Sequence, residues 1–127
     1  MTTKPYGLAK GERLRSITAV RRLFQDGASG FVYPIRYTVY IEKSTSPSVE
    51  VLFSVPKRNH KRANRRNLLR RRMKEAYRLA KGDLQSLAML RGVGIDVALI
   101  YSSKDVLSYN SIDNAVRRIL QEIVERC

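Results

Sequence analysis

The sequence is poor in the residues that build covalent or metal-centred sites. It has no tryptophan, one cysteine and one histidine. Cys127 alone allows neither a disulfide framework nor a cysteine-based zinc site within one chain. His60 alone offers no histidine cluster for a metal, nor the paired acid and base of a two-histidine nuclease. Acids number 11, and Glu42, Glu50, Asp83, Asp96, Asp105 and Asp113 are scattered without a metal-ligand spacing, so metal-assisted cleavage by the protein itself has no visible residue set. No run approaches the roughly 18 apolar residues of a membrane span, and Met1 to Lys10 lacks the apolar stretch of a secretion signal. A cytoplasmic location without membrane association is expected. Repeats and low-complexity blocks are absent too; the one Ser/Thr/Pro tract, Lys43 to Ser48, reads as a hairpin loop.

What the chain has in excess is positive charge. Twenty-five Lys and Arg give a net +14, which requires a polyanionic partner. At 127 residues the chain is expected to be a single domain, 1–127, large enough for a real core. Ile17, Val20, Leu23 and Phe24 recur at helical spacing, so a first helix is expected from Ser16 to Asp26, capped by Ser16 or Thr18 and stopped by Gly27. From Phe31 the period becomes two. Phe31, Tyr33, Ile35, Tyr37, Val39 and Ile41 are assigned to the core, and Arg36, Thr38 and Tyr40 to a wetter face. Pro34 marks an edge or strand start. Val49 to Val55 reads as a second strand forming a hairpin with the first, Ile95 to Tyr101 as a third, and Asp113 to Arg126 as a last helix capped by Ser111. Gly82 with Asp83 is expected to end the helix before it. The order helix, strand, strand, helix, strand, helix defines an α+β class, a two-layer sandwich with helices over a small mixed sheet.

Residues Lys57 to Lys81 carry twelve basic residues against the single acid Glu75, that is +11 of the net +14. Wound at about 100° per residue, Leu68, Leu69, Met73, Ala76, Leu79 and Ala80 share one arc; Asn67, Arg70, Arg71, Lys74, Arg78 and Lys81 share the opposite one. Guanidinium forks and mobile ammonium groups along such a band match a phosphate backbone. Repulsion between i and i+4 cations such as Arg66 with Arg70, a few tenths of a kcal/mol each, predicts a helix more stable when bound. A solvated charged face or basic arm, or a membrane-binding helix, is the blander reading. The density of charge and the modest Leu, Ala and Met stripe, without Trp or Phe anchors, favour nucleic acid.

This segment resembles the bacterial ribonuclease P protein family. Ser54, Val55, Pro56, Lys57 and Arg58 match its strand exit, Ala63 its alanine, Arg66 and Asn67 the start of its Arg-Asn-Arg core, and Arg70 and Arg71 its basic pair. Lys74 and Glu75 match its Arg-Glu, and Ala76, Tyr77 and Arg78 its end. Arg13 to Arg15 and the strand entry Gly94 to Ala98 agree as well. Two positions depart: Leu68 stands for the second core Arg, a contact that Arg65 or Arg72 is placed to replace, and Val20 stands for an aromatic in the first helix.

The resemblance implies a left-handed βαβ crossover and a non-catalytic protein subunit of an endoribonuclease whose RNA performs the chemistry with Mg2+. It implies ribonuclease P RNA and precursor tRNA as partners, with no obligate protein partner. RNA contacts are then expected at Lys57, Arg58, Lys61, Arg62, Arg65, Arg66, Asn67, Arg70, Arg71, Lys74 and Arg78, and a cleft for the single-stranded 5′ leader at Phe24, Arg36, Thr38 and Tyr40. Tyr40 reads equally as an ordinary outward tyrosine, and Phe24 alone reads more readily as core. A basic ribosomal or ribosome-assembly protein of similar fold is the competing reading.

Overall fold

The computed structural model describes residues 16–127, so Met1 to Lys10 and Arg13 to Arg15 lie outside the described residues. Helix α1 (Ile17–Asp26) starts where the Ser16 hydroxyl accepts the Ala19 N–H at 3.3 Å and ends where Gly27 donates to the Leu23 carbonyl. The expected strand from Phe31 is instead a pair, β1 (Ala28–Val32) and β2 (Ile35–Lys43), joined by a tight turn at Tyr33 and the cis-bonded Pro34. The alternation hides this turn because parity inverts across it. Val32 faces Ile35 and Phe31 faces Arg36, so Phe31 leaves the core face that Ile35, Tyr37 and Val39 occupy.

Strand β3 (Ser48–Ser54) does not pair with β2 as expected. The sheet runs β1-β2-β4-β3, with β4 (Val93–Tyr101) inserted between them, antiparallel to β2 and parallel to β3. Crossing two strand spacings, roughly 10 Å, is within reach of the four residues between β2 and β3. A bond from the Ser44 N–H to the Gly92 carbonyl at 2.9 Å pins that passage over the start of β4.

Between β3 and β4 stand two helices, α2 (Ala63–Ala80) and α3 (Gly82–Arg91). The break at Lys81 and Gly82 is as expected, but the chain resumes a helix that buries Leu84 and Ala88 and closes it with Gly92 in the left-handed region, φ 64°. Helix α4 (Tyr109–Arg126) begins before the expected Asp113, because Ser108 rather than Ser111 caps it.

The fold is thus α+β, with the expected element order retained and β1 and α3 added. The main layer pair buries Ile35, Tyr37, Val39, Val51, Val97 and Leu99 against Leu69, Met73 and Tyr77 of α2 and Ile112, Val116, Ile119 and Ile123 of α4. Tyr37 reaches across Gly30, where a Cβ would lie 2.4 Å from its ring, and donates to Glu122 of α4 at 2.7 Å. Burial pushes its phenol pKa up. Helix α1 adds a partial third layer on the opposite face, where Leu23 and Ala98 are fully buried among Val20, Tyr40 and Leu52.

Candidate nucleic-acid interface

The basic segment leaves β3 as a loop held from below. His60 is buried, donates from Nε2 to the Ser103 carbonyl at 2.7 Å, and rests against the Tyr101 ring. Arg66 turns back from α2 to donate to the carbonyls of His60 and Lys61 at 2.9 and 2.7 Å. These bonds fix the loop while leaving Lys57, Arg58, Lys61, Arg62 and Arg65 exposed. The loop opens directly onto the N-terminus of α2, where Arg62 occupies the cap position without a side-chain cap bond and no acid stands in the first turn. A helix start carries partial positive charge of its own. Backbone dipole and side chains therefore present one sign of field, suited to a polyanion.

Further along α2, Arg71 is exposed, Arg70 and Lys74 are half-buried, and Asn67 accepts from Arg70 at 2.5 Å. Besides Arg66, three basic residues are engaged by the protein itself, and two of them, Arg78 and Lys81, are ones that helical spacing assigns to the outer arc. Arg78 donates from Nε and Nη2, one edge of its guanidinium, to the two carboxylate oxygens of Glu75, which holds that carboxyl below its usual pKa range. Arg72 donates to the Leu107 carbonyl at 2.5 Å and so braces the loop before α4, which leaves Arg65 as the exposed arginine beside Leu68. Lys81 is 3% exposed, because the turn from α2 into α3 folds it inside. In the apolar stripe, Leu69, Met73, Ala76 and Tyr77 are fully buried, whereas Leu79 is exposed.

The four expected cleft residues are separated by the layer that α1 forms. Thr38 is 5% exposed and lies within 3.2 Å of the Ser29 hydroxyl; a Cβ at Gly27 would stand 2.9 Å from its methyl group, so it is a wall under the end of α1. Phe24 is 48% exposed rather than core. Arg36 is exposed, with its guanidinium 5.7 Å over the ring of Phe31. Register with Ile100 and Ser54 places Arg36 at the sheet end from which the basic loop departs. Phe31 is a second exposed aromatic on this face, which the alternation had assigned to the core.

Tyr40 lies toward the other end, half-buried, beneath the Arg22 guanidinium at 4.9 Å. There the structure gathers acids that look scattered in sequence. Arg22 reaches Glu42 at 3.2 Å and Asp96 at 3.6 Å, and Glu50 pairs in register with Asp96. Burial raises the Asp96 carboxyl pKa, with Arg22 opposing; burial and then Asp96 raise Glu50. Glu42 and Asp96 converge on a cation of the protein, and among the described residues no group of three or more His, Cys, Asp or Glu side chains is arranged to hold a metal ion. Among the described residues no helix is long and apolar enough to cross a membrane.

A sequence model of the Ribonuclease P family matches residues 8–124. The chain is 32% identical to the ribonuclease P protein component of Porphyromonas gingivalis strain W83 over 126 residues, covering 97% of this chain and 91% of that one. It is 35% identical to the component of Chlorobium phaeobacteroides over 127 residues, covering 91% and 87%. Solved structures of the same fold include the RNase P protein of Thermotoga maritima, with a TM-score of 0.67 at 21% identity over 87% of this chain and 96% of that one. The Staphylococcus aureus protein gives a TM-score of 0.66 at 18% identity over 90% and 96%. With the family pattern spread across helices, sheet and basic loop alike, the chain belongs to the ribonuclease P protein family.

Proposed function

We propose that this chain works in the cytoplasm as the protein subunit of ribonuclease P, binding the catalytic RNA through the 57–62 loop and the outer band of α2. It steadies the 5′ leader of precursor tRNA on the α1 face of the sheet. The observation that carries this reading is the braced loop beside an uncapped, acid-free helix start, with Lys57, Arg58, Lys61, Arg62 and Arg65 exposed together. Cleavage belongs to the RNA, and the Mg2+ that activates water sits on the RNA side. The protein contributes charge neutralisation and leader position, and no further protein subunit is required. On the leader face, Arg36 with Phe31 near the loop and the exposed ring of Phe24 supply a cation and stacking platforms, while Thr38 shapes the floor. A ribosomal protein would need the same charge but not the Arg66-Asn67 and Arg70-Arg71 pattern.

The test is multiple-turnover cleavage of a precursor tRNA at low magnesium by the matching catalytic RNA, with and without the protein, beside a protein-only control. Strong stimulation at the mature 5′ end that requires the RNA supports the subunit reading. Tight RNA binding without stimulation would favour the ribosomal one, and cleavage by protein alone would overturn the division of labour. Removing charge at Arg66, Arg70 and Lys74 together is expected to weaken RNA binding and flatten its salt dependence by about 0.7 to 0.9 of logarithmic slope per lost phosphate contact. An unchanged slope counts against this helix face.

A further inference from the structure

A depression of about 390 Å³ lies between the β1–β2 turn and the start of α4. Its floor is apolar, made by Val32, Pro34, Leu107 and Ala115. Its rim is of another kind: Tyr33, 58% exposed, on one side, and Asn114 and Arg118 of α4 on the other. No carboxylate lines it. The larger depression between α2, α3 and α4 differs in this respect, since Asp83 lines it; its arginines Arg78 and Arg117 are paired with Glu75 and Asp113, as Arg118 of the smaller depression is with Glu122 at 3.6 Å.

The smaller depression shares a wall with the RNA-binding surface. The Tyr33 hydroxyl lies 3.1 Å from the Ser103 hydroxyl, in the same residue whose carbonyl holds His60. Leu107, in the floor, takes the bond from Arg72 of the basic helix. A strand bound along the 57–62 loop thus has this opening as its next neighbour. An exposed aromatic ring, an apolar floor and a side-chain amide are the components that hold an unstacked base: a surface to stack on, a place to exclude water, and a donor–acceptor pair for the base edge. Arg118 supplies charge for the flanking phosphate.

We propose that this depression is a binding site for one unpaired nucleobase of an RNA already held by the basic loop, with Tyr33 as stacking platform and Asn114 reading the base edge. The inference rests on the RNA-subunit reading above. The base comes either from the catalytic RNA or from the precursor leader, and affinity measurements separate the two. Tyr33→Ala and Asn114→Ala are compared with the unaltered protein for binding to the matching catalytic RNA alone, and then, in the assembled holoenzyme, for binding precursor tRNA with and without its leader. Thermal unfolding of each variant is recorded alongside.

Tyr33→Ala is expected to weaken one of these interactions about fivefold or more, the loss of one stacked base, with the salt slope unchanged because no charge is removed. Tyr33→Phe is expected to bind as the unaltered protein does, and Asn114→Ala to weaken the same interaction as Tyr33→Ala. Loss in the first measurement assigns the base to the catalytic RNA; loss only when the leader is present assigns it to the leader. Unaltered protein that binds RNA with the expected salt dependence, while Tyr33→Ala and Asn114→Ala bind equally well, overturns the pocket and leaves the subunit reading intact. Failure of the unaltered protein to bind either RNA overturns both.

Discussion

Helices α2 and α4 are each 18 residues long and pack against one another, yet their ends are built on opposite principles. In α4 the Ser108 hydroxyl accepts the Ser111 N–H, the arrangement that makes a helix start stable by itself. In α2 the cap position holds Arg62, and Arg65 and Arg66 follow within the first turn, so side-chain charge opposes the helix dipole. Below the first turn the two helices converge again, each burying a stripe in the same core. The contrast separates two tasks carried by one packing pair. The stripes hold the domain together; the N-terminus of α2 forgoes local stability and gains a field for phosphate.

The sharpest challenge to this separation is a cut in the shared stripe. Met73→Ala in α2 and Ile119→Ala in α4, both fully buried, are each expected to cost about 2 to 5 kcal/mol in urea unfolding. A much smaller loss for Met73→Ala alone would mean that α2 is not core-anchored in the free protein. Next in size are the ends. Ser108→Ala is expected to lower stability by about 1 kcal/mol and leave RNA affinity unchanged, while Arg62→Ser raises stability by a similar amount and weakens RNA binding. If both variants shift stability in the same direction, the opposition between the helix ends does not hold.

The smallest effect concerns the acidic end of the α1 face. Asp96 has its pKa raised by burial, so its ionised form is less favourable folded than unfolded. Its contribution is fully present below the unfolded pKa and is lost as pH rises through the folded one. Asp96→Asn escapes this loss, and its melting temperature is expected to gain on that of the unaltered protein as pH rises from acid to neutral. A gain in the opposite direction would mean that the bond to Arg22 outweighs burial.

The two helices also show where sequence reasoning works. The stripe of α2 was legible because Leu69, Met73 and Ala76 repeat with the helical period and nothing interrupts them. The start of α4 was misplaced since Ser108 and Ser111 are equally good caps, and only the fold decides between them. Strand β2 was legible from Ile35 onward, but the turn before it was not, because alternation continues unbroken in sequence while the chain reverses in space. Pro34 was the available signal. The β2–β3 hairpin failed for a different reason: the residues of a short loop do not say whether a later strand lies between its ends. For the site, the exposed loop cations were readable from density of charge. The inward turns of Arg66, Arg72, Arg78 and Lys81 depend on carbonyls, an acid and a helix junction that periodicity does not reveal.

The insertion of β4 between β2 and β3 also dictates an order of assembly. During synthesis, β2 and β3 emerge before the strand that joins them, so each waits with an unsatisfied edge until α2 and α3 have been made and β4 arrives. Pairing across that interval is non-local and correspondingly slow. A nascent chain that ends before Val93 therefore already carries the whole basic helix, Ala63–Ala80, without the sheet that anchors its apolar stripe. RNA that binds such a chain meets its charge before its architecture.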